Sequence, residues 1–290
     1  GWAFGRALDA VAGTVAGTVG AVTGTVRVSR QIGQLVQETV QSVRHPSHLL
    51  ELTQSAAQGA QVLFEMLTRP SDPPTPFKGS LGVSKRAAWS RPIPLAEIKA
   101  AGQSVGATIN DVLLAAVTGG LRRYLVRRRF EVHGLEVNAM VPVNLRPPER
   151  ADDLGNEFGL IYLTLPVGEA EAAERLRLVK QRMDEIKRSP EPLVAFQLLN
   201  ALGLAPREMA DTLINMFGAK STAVMTNVAG PREPIYFSGR RVESMLFWVP
   251  QSGRMGLGVS IFSYAGRVVV GVATDAGLVP DPERLVDAFA

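Results

Sequence analysis

"GATINDVLLAAVTGGLRRYL", residues 106–125, sets the polar pair Asn110-Asp111 directly ahead of an almost unbroken apolar run. Thr108 followed three residues later by Asp111 is a capping box, in which each side chain satisfies an orphan N–H of the first turn, so a helix is predicted to begin just after Thr108. Asp111 also sets negative charge at the positive end of the helix dipole. Arg122, Arg123, Arg127, Arg128 and Arg129 gather at the other end, where cations are favoured. Between the ends, Val112, Leu113, Leu114, Ala115, Ala116, Val117 and Leu121 cover nearly every face. That is the pattern of a helix enclosed by protein on all sides, which demands a layered fold around it.

The rest of the chain is large enough to supply those layers. With 290 residues, 46% hydrophobic and 20% charged, the composition excludes disorder and fits one large domain or two small ones. There is no cysteine. Disulfides, thiolate nucleophiles and Cys-ligated metals are therefore excluded, and a cytoplasmic setting is compatible. A formal charge of +4 and a pI of 9.6 suit anionic ligands or lipid headgroups, while no nucleic-acid-binding motif occurs. The start carries no basic leader and no cleavage site of a secretory signal. The chain opens on Gly1, and it closes on "DPERLVDAFA", a helix pattern with Leu285, Val286 and Phe289 as an apolar stripe; the expectation is a piece of a longer protein.

Organisation along the chain is uneven. Residues 10–26 are uncharged and repeat Gly-Thr-Val, with Gly13, Gly17, Gly20 and Gly24 on one helical stripe. A flexible or packing helix, a membrane-contacting helix and a membrane span are the readings; the run is short and diluted for a span. Helical patterning continues from Val28 to Thr68, interrupted at "HPSHLL", where Ser47 can cap a new start. "RPSDPPTPFKGSLG" then reads as a linker or loop. This divides a helical arm, residues 1–69, from a compact α/β domain, residues 70–290, in which helices and strands alternate.

Within that domain "VNAMVPVNLR" reads as a strand, and "FGLIYLTLPV" as a thoroughly apolar one, hence central in its sheet. Ala172, Leu176, Val179, Met183 and Ile186 give an amphipathic helix that stops before Pro190. One further helical stretch spans about 193–217. "STAVMTNV", "VESMLFWVP", "GLGVSIFSYA" and "RVVVGVATD" read as strands, the last two joined by a tight hairpin at Ala265-Gly266.

The chemistry-bearing residues are few. His45 and His48 stand at metal-compatible spacing but lack a third ligand, and His133 sits in a polar turn; no histidine here reads as a general base, and no metal is expected. Phosphate-binding glycine motifs and G-x-S-x-G elbows are absent. What remains are polar residues where strands end. "MTNVAGP", residues 225–231, breaks its strand at Asn227 and turns on Gly230-Pro231, and "LGNEFG", residues 154–159, does the same before the next strand. Such loops are turn chemistry, the walls of a ligand cleft, or both.

The order of "TPFKGSLG", "GATINDVLLAAVTGGLRRYL", "MVPVNLR", "GNEFGLIYLTLPV", "TNVAGP" and "SYAGRVVVGVATDAGLVPD" resembles the C-terminal half of the bacterial wax ester synthase/diacylglycerol acyltransferase family over roughly residues 70–290. The resemblance implies a chloramphenicol acetyltransferase-like, condensation-domain half: a mixed sheet flanked by helices, preceded by the helical arm. It implies acyl transfer from acyl-CoA, as substrate and without a cofactor, to diacylglycerol or a long-chain alcohol. The family's catalytic histidine lies in an H-H-x-x-x-D-G motif of the N-terminal half, which these residues do not contain. Asn110 and Asp111 match the family's Asn-Asp motif and are expected to support the active site by orientation rather than proton transfer. Thr226, Asn227, Gly230 and Pro231 match a Ser-Asn-Val-Pro-Gly-Pro motif, with Ala229 replacing a proline; these residues, Asn156 and Ser260 are the expected substrate-binding set. Relatives carry Asn where Gly258 stands. The partners implied are acyl-CoA, the acceptor alcohol, the N-terminal half, and a peripheral surface at the inner membrane or a lipid inclusion. A non-catalytic lipid-binding module and a membrane-surface protein using the Gly-Thr-Val arm are the other readings.

Overall fold

Three valines in a row, Val268 to Val270, and a further Val272 make "RVVVGVATD" a strand that prefers burial on both faces. In the computed structural model this strand lies well inside a seven-stranded sheet. The structure describes residues 59, 61–150, 157–204, 207–249 and 255–289. The Gly-Thr-Val segment, the remainder of the arm up to residue 58, His45, His48 and Asn156 lie outside the described residues. The compact unit that carries the sheet runs Gln58–Ala290, and the sequence boundary at 69/70 falls within it.

The elements follow in the order α1 (61–68), β1 (Lys85–Trp89), β2 (Ile93–Pro94), α2 (Leu95–Gln103), α3 (Ile109–Arg127), β3 (Val137–Asn144), β4 (Phe158–Leu165), α4 (Ala172–Arg188), α5 (Glu191–Leu204), α6 (Arg207–Ala219), β5 (Ala223–Ala229), β6 (Tyr236–Phe237), β7 (Arg240–Arg241), β8 (Leu257–Tyr264), β9 (Arg267–Asp275) and α7 (Pro282–Asp287). The sheet order is β1-β9-β8-β5-β3-β4, with β2 also pairing β9. β1, β8 and β4 run antiparallel to their neighbours β9, β9 and β3, while β5 runs parallel to both β3 and β8. It is a mixed sheet with helices on both faces, as expected.

Alternation along the strands assigns the two faces. Ala139 and Val141 of β3, Ile161 and Leu163 of β4, and Val259 and Val270 of β8 and β9 pack with the helices α3, α4 and α7 in one large core. The opposite face of β3 and β4 presents Met140, Leu160 and Tyr162 to α1, α5 and α6. As the apolar wrapping of its sequence requires, α3 is enclosed, with Leu114, Val117, Leu121 and Leu125 almost wholly buried. Its C-terminus closes in a Schellman motif: Phe130 N–H reaches Leu125 O at 3.0 Å and Arg129 N–H reaches Val126 O at 2.9 Å, with Arg129 left-handed at φ 58. The stripe Leu285, Val286 and Phe289 is buried against this domain. The β8–β9 turn is tight as expected, with Ala265 and Gly266 both at positive φ.

Three expectations are corrected. β4 is an edge strand, not a central one. Its apolar sequence is covered by α4 and α5, and its outward backbone is satisfied by their side chains: Tyr162 N–H donates to Glu191 Oε1 at 2.9 Å and Arg182 donates to Thr164 O at 2.9 Å. The stretch 193–217 falls in two helices, one ending at Leu204 and the next starting at Arg207. Residues 242–249 of "VESMLFWVP" form no ladder. They lie across the sheet, with Val249 over Gly258, Trp248 over Gly271 and Phe247 edge-on to Phe262 at 5.9 Å. Of the two readings of the Pro-rich segment 69–82, linker or loop, the structure has the loop, and it is packed: Phe77 is 1% exposed and stacks on Tyr124 at 5.7 Å.

The contact between α5 and the edge strand is close enough to test. A methyl group at Gly159 of β4 would stand 2.0 Å from the backbone oxygen of Pro192. Gly159→Ala is expected to lower stability by about 1–3 kcal/mol, as overpacking against backbone does. Urea unfolding would show it, and an unchanged midpoint would mean that α5 is free to shift off β4.

Candidate functional site

The site is built where the first turn of α3 meets the far half of β5. Thr108 Oγ1 accepts from Asp111 N–H at 3.3 Å, and Asp111 Oδ2 accepts from Thr108 N–H at 2.9 Å and from Thr108 Oγ1 at 2.7 Å. The capping box is thus complete in both directions. Asp111 is wholly buried, and its second oxygen, Oδ1, has no hydrogen-bond partner. Both hydrogen bonds that its Oδ2 accepts come from Thr108, so that oxygen is engaged at the helix start.

Asn110 points elsewhere. Its Oδ1 accepts from Asn227 Nδ2 at 2.9 Å, which ties the helix start to β5 across 117 residues of chain. With its oxygen engaged, Asn110 has its NH₂ group as the one that can donate. Asn227 is exposed and Asn110 half-buried. Contrary to expectation, Asn227 does not break the strand. β5 continues in register with β8 through Asn227↔Ile261 and Ala229↔Ser263, and pairing along the ladder overrides asparagine's poor strand propensity. The turn falls at Gly230-Pro231. Gly230 N–H donates to Ser263 O at 2.9 Å, and a side chain there would strike the Phe262 ring at 2.5 Å.

The remaining expected residues do not join this pair. Thr226 and Ser260 are register partners on β5 and β8, and both face the side of the sheet opposite to Asn227 and α3. Ser260 is buried at 2% exposure beneath the segment that covers Gly271. The expected set therefore divides into a helix-side pair, Asn110 and Asn227 above the buried Asp111, a pair on the other face, and a rim at Gly230-Pro231.

Much of the arginine cluster at the end of α3 is spent on structure. Arg122 donates to the carbonyls of Val167 and Gly168, Arg123 to that of Ala288 at 2.6 Å, and Arg128 to that of Leu278 at 2.9 Å. Beneath them Arg175 is 6% exposed and donates to the carbonyls of Ala115, Glu169 and Ala170; its burial, and then Arg123 and Arg122 nearby, push its pKa down.

A polar centre that the sequence did not signal lies at the start of β5. Asp72 accepts from Asn138 N–H at 2.9 Å, Asn138 Nδ2 at 2.6 Å and Thr222 Oγ1 at 2.7 Å. Burial pushes its carboxyl above the usual range, opposed by those hydrogen bonds and by Lys78. Glu191 is likewise pushed up by burial, opposed chiefly by the Tyr162 N–H bond. Asp72 sits in a Pro-rich stretch that reads as a loop, so only its tertiary partners reveal it. Among the described residues no three of His, Cys, Asp and Glu stand together as a metal site would require.

The family model described as the WS/DGAT C-terminal domain matches residues 154–290. Wax ester synthase/diacylglycerol acyltransferase 2 of Arabidopsis thaliana is 31% identical over 225 residues, covering 68% of this chain and 46% of that protein. The chain belongs to the wax ester synthase/diacylglycerol acyltransferase family. It corresponds to the family's C-terminal half and spans about half the length of the curated relatives it matches. The solved wax ester synthase/diacylglycerol acyltransferase of Marinobacter aquaeolei superposes with a TM-score of 0.57 at 25% identity, covering 80% of this chain and 53% of that one. A nonribosomal peptide synthetase superposes with a TM-score of 0.52 at 18% identity, covering 81% of this chain and 25% of that one, a likeness of fold alone. The architecture is the chloramphenicol acetyltransferase-like one that the family resemblance implied.

The cap that Thr108 forms with Asp111 and the Asn110 side chain are separable by stability. Thr108→Ala removes the cap and is expected to cost about 1 kcal/mol. Asn110→Ala, which removes one bond to an exposed partner, should stay within about 0.5 kcal/mol of the parent. Paired urea titrations decide it; a greater loss for Asn110→Ala would make that residue the structural one.

Proposed function

We propose that this chain is the C-terminal half of an O-acyltransferase that moves a fatty acyl group from acyl-CoA to diacylglycerol or a long-chain alcohol. The observation that carries the reading is the Asn110–Asn227 bond, which fixes an amide donor at a helix start beside the strand ends. Family membership supplies the reaction class. In this reading a histidine of the N-terminal half, from an H-H-x-x-x-D-G segment, removes the acceptor hydroxyl's proton. The alkoxide oxygen attacks the thioester carbonyl, a tetrahedral oxyanion forms, and its collapse restores the carbonyl and expels the CoA thiolate, which takes up the proton. Asn110 orients a substrate oxygen through its amide, and Asp111 holds the turn from which Asn110 projects. No cofactor enters. The reading places the protein in the cytoplasm, peripherally at the inner membrane or a lipid inclusion, where both substrates collect. Among the described residues no helix is long and apolar enough to cross a membrane.

Thiol release from palmitoyl-CoA, with hexadecanol or diacylglycerol as acceptor, tests this on the chain alone and joined to its N-terminal half. Activity is expected only in the joined form. There, Asn110→Ala should lower kcat/KM by roughly tenfold to a hundredfold at an unchanged unfolding midpoint. Unchanged turnover would reduce Asn110 to helix-start architecture, and no transfer in either form would favour the lipid-binding module.

A further inference from the structure

Beyond the Gly230-Pro231 rim the chain leaves the sheet as a ribbon of its own, β6 and β7, which turns back on Ser238 and Gly239. Both turn residues have positive φ, 48 and 76, the geometry of a type I′ hairpin. The ribbon is clamped at its base. Val242 N–H donates to Ile235 O at 3.0 Å, and the buried Tyr264 hydroxyl accepts from Ile235 N–H at 2.8 Å and donates to Val242 O at 2.9 Å. Its tip is bare: Phe237 is 79% exposed and Tyr236 66% exposed. Register sets Tyr236 opposite Arg241 and Phe237 opposite Arg240, so alternation gives each face of the ribbon one aromatic ring and one guanidinium. Neither arginine makes an ion pair among the described residues. Glu233 and Glu243 stand toward the base, which leaves the ribbon cationic at its tip and acidic near the sheet.

From this arrangement we infer that the ribbon docks the protein on an anionic lipid bilayer, its tip entering the headgroup layer. Aromatic rings settle at that depth, and guanidinium groups meet lipid phosphates there. A partner laid against the ribbon covers one face of it. Headgroups close round both, which is what a ring and a guanidinium on each face call for. Because Tyr264 orders the ribbon before contact, docking costs the tip little conformational freedom. The ribbon rises at the end of the sheet that carries Asn110 and Asn227: Gly230, three residues beyond Asn227, bonds to Ser263, the neighbour of Tyr264. Docking therefore turns that end of the sheet toward the bilayer. That the bilayer delivers the acceptor there rests on the proposed acyl transfer; the docking does not.

The chain has no cysteine, so single cysteines can report on each end of the sheet. Ser238→Cys carries an environment-sensitive dye at the tip, and Ser80→Cys, exposed ahead of β1, carries it at the other end. Vesicles of phosphatidylcholine and phosphatidylglycerol at about three to one should blue-shift the dye at the tip and leave the other in water, and phosphatidylcholine alone should shift neither. In flotation with the mixed vesicles, Arg240→Gln and Arg241→Gln should each weaken binding roughly fivefold. Phe237→Ala should weaken it roughly tenfold. All three side chains are exposed, so unfolding midpoints should stay where they are. Equal binding to both kinds of vesicle, or binding that all three variants leave unchanged, overturns the ribbon as the docking element and moves it to the Gly-Thr-Val segment or elsewhere. A dye at Ser238→Cys already shielded from water, without vesicles, in the protein joined to its N-terminal half also overturns it, and makes the ribbon a contact between halves. Docking without transfer would sink the acyl-transfer reading alone, and transfer by the joined protein without docking would sink the ribbon alone.

Discussion

The sheet has two antiparallel blocks, β3–β4 and β8–β9 with β1 and β2 on the outer side of β9, held together by a single strand. β5 bonds in parallel to β3 on one side and to β8 on the other, and without it neither block would touch the next. Its beginning is fixed by Asp72, whose carboxylate gathers Asn138 of β3 and Thr222 just ahead of β5, with Thr222 N–H also donating to Asn138 O at 2.8 Å. Its far half is fixed by Asn227 against Asn110. A strand held at both ends and along both edges gives the chemistry of its polar residues a defined address, which a free loop would not.

The same economy governs the cations. Lys220, pushed down in pKa by burial, donates to the carbonyls of Met66 and Leu67 at the end of α1, and Lys78 donates to those of Ala219 and Ser221 after α6. Each sits where the helix dipole leaves negative charge and where carbonyls lack intrahelical partners. With Arg122, Arg123, Arg128 and Arg175 they account for much of the basic excess as internal fastening, so the net charge of +4 says less about ligands than it first suggests.

What could be read from the chain and what could not divides along the range of the interactions. The capping box at Thr108 and Asp111, the turn at Ala265-Gly266 and the stripe of α4 are decided within a few residues, and the structure has them where the sequence puts them. The place of β4 in the sheet was misread because an apolar strand looks the same whether strands or helices cover it; Glu191 and Arg182 completing its edge are visible only in three dimensions. "VESMLFWVP" has strand-like residues but lies across bare glycine positions of β8 and β9. At the candidate site, Asn110 and Asn227 were both legible as strand-end or helix-start polar residues, yet their bond was not, and neither was the separation of Thr226 and Ser260 onto the other face, which follows from pairing register.

Three thioethers share one place, an apolar cavity of about 250 Å³ on the β3–β4 face that α1, α5 and α6 cover. With no cysteine in the chain, an oxidant meets only thioethers, and of the eight methionines three, Met66, Met140 and Met255, line the apolar cavity. Thioethers are soft and adaptable, which suits a wall assembled from several separate elements. Conversion of any of them to the sulfoxide would set a strong dipole into that wall. An oxidant would therefore act on one wall through three side chains, and each sulfoxide would make an almost wholly apolar surface more polar.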